Sequence, residues 1–87
     1  MTYRIEWKPS ALREFKKLPR DIRDSVRRHV EGLAEEPRPA GCRKLARFDN
    51  AYRVRIGAYR LIYEVHDVRI LVYILRIRPR SESYRDD

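Results

Sequence analysis

Arg53, Arg55 and Arg60 crowd around the dipeptide Gly57-Ala58 in AYRVRIGAYRLIYEV, residues 51–65. A guanidinium is a planar, permanently charged fork whose donors suit phosphate oxygens and base edges. A second set, Arg76, Arg78, Arg80, Tyr84 and Arg85, lies in or beside RIRPRSESYR near the C-terminal end. Tyr84 sits in a polar segment with no apolar period to join. Its ring can stack on a base, supply a proton, or lie against the surface. Together these residue types suit an anionic, phosphate-bearing partner.

Other catalytic sets are absent from the sequence. Cys42 is the lone cysteine, which excludes an internal disulfide and a thiolate metal cluster. It follows RPAG in a loop and reads as a packing residue. His29 falls beside the apolar stripe of a helix and reads as half-buried packing, and His66 ends a strand next to Asp67. No His pair, Cys–His pair or carboxylate cluster has metal-ligand spacing, so neither a metal nor a cofactor is expected. Three glycines cannot build a phosphate-cradling loop.

The glycine turn positions the arginines. A two-residue hairpin loop with Gly first predicts a type II′ turn. The register follows: Ile56 opposite Tyr59, Arg55 opposite Arg60, Val54 opposite Leu61, Arg53 opposite Ile62. Alternation sends Tyr52, Val54, Ile56, Tyr59, Leu61 and Tyr63 to one face and Arg53, Arg55, Arg60 and Ile62 to the other. Like charges directly opposite one another cost about 0.2–1 kcal/mol. Two readings of that basic face stand: an anion-binding surface, or a structural one. In the structural reading Glu64, diagonal to Arg53, offsets charge. A tight turn at Asp67 would also bring Tyr73 near Arg60 as a cation–π surface. Strict alternation along the last strand would put Arg76 and Arg78 on the apolar side, but Pro79 makes that strand end irregular.

The remaining elements form a framework for this hairpin. TYRIEW alternates as a strand, with Tyr3, Ile5 and Trp7 on one side. Pro9 suits a first helical turn, and Ala11, Phe15 and Leu18 follow at helical spacing until Pro19. Ile22, Val26, Val30 and Leu33 mark a second helix from about 20 to 35. Residues 36–47 read mostly as loop, and strands are expected near 51–56, 59–66 and 68–77. The order β-α-α-β-β-β predicts a two-layer α+β domain, a helical hairpin packed on a small antiparallel sheet. A single domain over 1–87 is expected, with a polar tail from about 79.

Charge is divided unevenly. Residues 1–37 carry nine Lys/Arg and seven Asp/Glu, whereas residues 38–87 carry twelve and six, out of a net charge of +8. The basic excess sits with the arginine hairpin and points to a nucleic acid or an acidic protein as partner. The longest apolar run, 70–75, is too short for a membrane span. MTYRIEWKPS lacks a signal-peptide core, so a cytoplasmic location is expected, with no membrane partner.

The element order and the segments ALREFKKLP, LARFDNAYRVRIGAYRLIYEV and ILRIRPRSESYR resemble the RelE/ParE superfamily of bacterial toxins, over about residues 3–85 and best in the RelE branch. The resemblance implies a RelE-like fold and the toxin of a type II toxin–antitoxin system, partnered by a co-encoded, RelB-like antitoxin. It also implies a metal-independent endoribonuclease that cuts mRNA in the ribosomal A site. The family's basic positions fall on Arg53, Arg55 and Arg60. Its C-terminal arginine falls on Arg78 or Arg80, and its C-terminal tyrosine on Tyr84. Two features depart from the family pattern. Many relatives carry Gly-His where this chain has Arg78-Pro79, which removes a histidine acid. Some also carry lysines where this chain has Arg53 and Arg55, and arginine cannot serve as a general base.

The implied chemistry is attack of an RNA 2′-OH on the adjacent phosphate, leaving a 2′,3′-cyclic phosphate and a 5′-OH. Arg60 would hold the scissile phosphate, with Arg53 and Arg55 on the backbone and developing charge. Arg78 or Arg80 would stabilise the leaving side, and Tyr84 would stack or take part in proton transfer. The base is open among Tyr84, Glu64 and a ribosomal group. A ParE-like inhibitor of DNA gyrase and a non-catalytic RNA-binding module are the alternatives.

Overall fold

The computed structural model describes residues 2–79. Strand β1 (Arg4–Trp7) leads into helix α1 (Pro9–Lys16), with Pro9 in its first turn, and α2 (Arg20–Glu35) follows directly. A two-residue strand β2 (Arg43–Lys44) precedes β3 (Ala51–Ile56), β4 (Tyr59–His66) and β5 (Leu71–Pro79). The strands form one sheet in the order β1-β5-β4-β3-β2. Two helices on a sheet make the two-layer α+β fold expected from the pattern. The sheet is mixed, because β1 pairs with β5 in parallel while every other pairing is antiparallel. The two helices between β1 and the hairpins carry the chain across the sheet, and a parallel edge pairing follows from that crossover.

One face of the sheet meets the helices. Ala11, Val26, Val30 and Leu33 from the helices bury against Val54, Leu61, Tyr63, Val72, Ile74 and Ile77. Tyr63 is fully buried, and its hydroxyl donates to the Pro37 carbonyl at 2.9 Å. Burial pushes its phenol well above the ordinary tyrosine value. The opposite face carries a small apolar cluster of Leu45, Ala51 and Ile62 with Leu75 against it. His29 is exposed rather than half-buried, because the buried stripe of α2 is narrow and confined to Val26, Val30 and Leu33. Its Nδ1 lies 3.0 Å from the Ser25 carbonyl. Cys42 packs partly buried against the core.

At the Asp67 end of the β4–β5 hairpin an arginine does structural work. The Arg38 guanidinium donates to both Asp67 oxygens, at 2.8 and 3.3 Å, and its Nε donates to the Tyr52 hydroxyl at 2.9 Å. The Tyr3 hydroxyl donates to the same carboxylate at 2.7 Å. Arg38 foremost, then Tyr3, holds the Asp67 carboxyl below its ordinary range. This clasp joins the N-terminal segment, the loop after α2, β3 and the last turn.

Candidate functional site

The β3–β4 hairpin forms in the register its turn dictates. Gly57 adopts φ +60°, while Ala58 is not among the residues with positive φ, as a type II′ turn requires. Arg55 pairs with Arg60, Arg53 with Ile62, and Ile56 with Tyr59. Arg53, Arg55 and Arg60 therefore share the face turned away from the helices. They line a cavity of about 340 Å3 together with Gly41 and Arg43.

Arg43 is the addition that sequence reasoning missed. It lies on β2 directly opposite Arg53, which puts four arginines on three adjacent strands. The prolines and glycine around it read as loop, and a two-residue strand has no periodicity to detect. Gly41 permits the bend that returns the chain to the sheet edge, at φ +91°. The described residues lining this cavity include no carboxylate. Four guanidinium groups held across neighbouring strands repel one another, and an anion between them would relieve that repulsion.

The last strand departs from strict alternation. A β-bulge falls between the pairs Ile62–Arg76 and Tyr63–Ile74. Leu75 is the extra residue, and it packs with the far-face cluster. The bulge flips the strand's parity, so Ile77 enters the core, whereas Arg76 and Arg78 fall in register with the far-face residues Ile62 and Arg60. Both arginines are thus off the apolar side that strict alternation assigned them. Arg78 does not line the cavity. Its Nε lies 3.3 Å from Oε2 of Glu14 on α1, and the other oxygen of Glu14 accepts the Ile77 amide at 2.8 Å. Arg80 and Tyr84 lie outside the described residues.

The expected Tyr73–Arg60 proximity does not form. The β4–β5 connection spans residues 67–70, with Ile70 at φ +52°, instead of a tight turn. That length moves Tyr73 opposite Glu64 and leaves Arg78 opposite Arg60. Glu64 itself is diagonal to Arg53 as expected, but its Oε1 is engaged by His66 Nε2 at 2.7 Å.

The family model for the ParE toxin of type II toxin–antitoxin systems, parDE, matches residues 5–84. The chain belongs to the RelE/ParE toxin superfamily, in its RelE-like branch. It is 29% identical over 90 residues to the mRNA interferase toxin RelE of Escherichia coli K12, covering 99% of this chain and 94% of that protein. It is 33% identical over 86 residues to Toxin RelG of Mycobacterium tuberculosis, covering 98% and 99%. The RelE of the archaeal RelE–RelB complex from Pyrococcus horikoshii superposes with a TM-score of 0.84 at 28% identity, covering 95% of this chain and all of that one. The chain is thus a RelE-like toxin of a toxin–antitoxin system. Among the described residues no helix of this toxin is long and apolar enough to cross a membrane.

Proposed function

We propose that this toxin is a ribosome-dependent mRNA endoribonuclease acting in the cytoplasm and restrained by an antitoxin. The four-arginine cavity carries the reading, because it offers many permanently charged donors to a phosphate and almost nothing that can move a proton. The naming of the E. coli relative as an mRNA interferase supports the substrate class. The crystallisation of the Pyrococcus relative with RelB supports an antitoxin partner.

In this reading the ribose 2′-oxygen attacks the adjacent phosphorus and the bond to the 5′-oxygen breaks. The 2′-OH loses its proton, the departing 5′-oxygen gains one, and the products end in a 2′,3′-cyclic phosphate and a 5′-OH. Arg60 holds the scissile phosphate, while Arg53, Arg55 and Arg43 hold the flanking backbone and the charge that develops in the transition state. Arg78 or Arg80 serves the leaving side, and Tyr84 stacks on a base or joins the proton transfer. Glu64 does not line the arginine cavity, so this reading gives the 2′ proton to Tyr84 or a ribosomal group. A site so poor in acid–base groups suits a substrate oriented by the ribosome.

Purified toxin added to programmed ribosomes tests this. Wild type is expected to cut the A-site codon and leave cyclic phosphate ends. The double variant Arg60→Ala with Tyr84→Ala should stay folded and inactive, and undiminished cleavage by it overturns the site. The match to the ParE family model favours one other reading, inhibition of DNA gyrase. Pulse-labelling after induction separates the two: nuclease action stops protein synthesis first, and gyrase inhibition stops DNA synthesis first.

A further inference from the structure

Beside the arginine cavity the same sheet face holds a second cavity, of about 210 Å3. Its floor is apolar, made by Leu45, Ala51, Ile62 and Leu75. Phe48 also lines it, with 51% of that residue still exposed. Lys8 and Arg76 stand at the margin. Ile62 pairs with Arg53 on one side and with Arg76 on the other, so the apolar floor lies between cations.

Among the described residues lining this cavity, Glu64 carries the carboxylate, and it is held in place. Asn50 Nδ2 lies 3.2 Å from His66 Nδ1, and His66 Nε2 lies 2.7 Å from Glu64 Oε1. With the Asn50 amide donating to Nδ1, a neutral ring carries its proton on Nε2 and donates it to Glu64. A carboxylate with about four lone-pair sites keeps acceptor capacity after that bond. An oriented acceptor over an apolar, aromatic-walled cavity, with cations on both sides, has the composition of a site for an unstacked nucleobase.

We propose that this cavity receives a base of the RNA strand whose phosphate occupies the arginine cavity, and that Glu64 selects guanine. Guanine presents N1–H and N2–H side by side, so one carboxylate can accept both. The pairing edges of adenine, cytosine and uracil each set a single donor group beside an acceptor that a carboxylate repels. Phe48 supplies the stacking surface, and Lys8 and Arg76 attract the neighbouring phosphate. His66 is a positioning residue that acts through Glu64. The proposal rests on the RNA-cleaving reading above.

The test is titration of the full chain with 5′-GMP, AMP, CMP and UMP, followed by NMR of the Phe48 ring, the Leu45 and Leu75 methyls and the arginine side chains. GMP is expected to shift the cavity resonances at about tenfold lower concentration than the other three. Glu64→Gln should abolish that preference, and Phe48→Ala, at an exposed position, should weaken all four nucleotides without unfolding the chain. If the four nucleotides bind equally and perturb only Arg43, Arg53, Arg55 and Arg60, the base site is overturned. The nuclease reading would survive that result, since cleavage by the Arg60→Ala, Tyr84→Ala variant decides it separately. Occupation of the cavity by an apolar helical peptide from which all four nucleotides are excluded also overturns the base site, in favour of protein docking.

Discussion

Arginine plays two opposite parts at the two ends of this sheet. At the Asp67 end, Arg38 is spent on structure, with both oxygens of a carboxylate and a tyrosine hydroxyl taking up its donors. Its guanidinium also lies 5.2 Å from the centre of the Tyr52 ring. At the Gly57 end, Arg43, Arg53, Arg55 and Arg60 gather around a cavity whose described lining has no carboxylate. The residue type is the same and the surroundings differ. Where an acid sits within reach, the arginine ties elements together. Where arginines face one another across paired strands, the fold carries a repulsion that a bound anion would relieve.

The largest effect that could break this contrast is on catalysis. Arg60→Ala should lower cleavage on programmed ribosomes by about a hundredfold or more, while its urea midpoint stays at or above that of wild type. Arg38→Ala should do the reverse, lowering the midpoint and leaving cleavage per folded molecule unchanged. If Arg38→Ala abolished cleavage in a folded protein, the two regions would not differ as argued.

Next in size is the core beneath the Asp67 end. Tyr63→Ala should cost about 3–5 kcal/mol in urea unfolding, since it empties a fully buried site and strips the Pro37 carbonyl of its donor. Arg38→Ala should cost less than half of that, because the guanidinium and its carboxylate are both partly exposed.

A smaller effect of opposite sign is expected at the cavity. Arg55→Thr removes one of two facing charges and places a strand-favouring residue, so stability should rise by about 0.2–1 kcal/mol in low salt. A fall would mean that Arg55 is held by favourable contacts and the repulsion is imaginary.

The smallest expected effect is a pH dependence. The Asp67 carboxyl titrates below its unfolded value because Arg38 and Tyr3 hydrogen-bond its ionised form. Its contribution is therefore complete above the unfolded value near 3.9 and fades as pH falls through the lower folded value. Thermal unfolding scans between about pH 5 and 2.5 should show wild type losing more stability than Asp67→Asn. Equal losses would remove Asp67 from the clasp.

Much of the hairpin was legible because its determinants are local. Gly57 supplies the positive φ of a two-residue turn, and that turn sets every pairing from Ile56–Tyr59 back to Arg53–Ile62. The helices were legible for a similar reason, since Pro9, Pro19 and the stripe Val26, Val30 and Leu33 act within a turn or two of chain. The assignment of Arg53, Arg55 and Arg60 to one face followed from the sequence alone.

What only the tertiary structure decided depends on contacts between distant segments. The bulge at Leu75 exists because Leu75 packs on the far face while Ile74 and Ile77 both enter the core, and no local pattern announces an inserted residue. That bulge, and the four-residue turn before it, set where Arg76, Arg78 and Tyr73 fall. Arg43 joins the other arginines because a two-residue strand finds the edge of β3, a pairing with no period of its own. Glu14 reaches Ile77 and Arg78 across 63 and 64 positions of chain. Local sequence determined which arginines share a hairpin. Long-range packing determined which other groups stand beside them, because a side chain's neighbours across a sheet depend on registers that turn chemistry alone does not set.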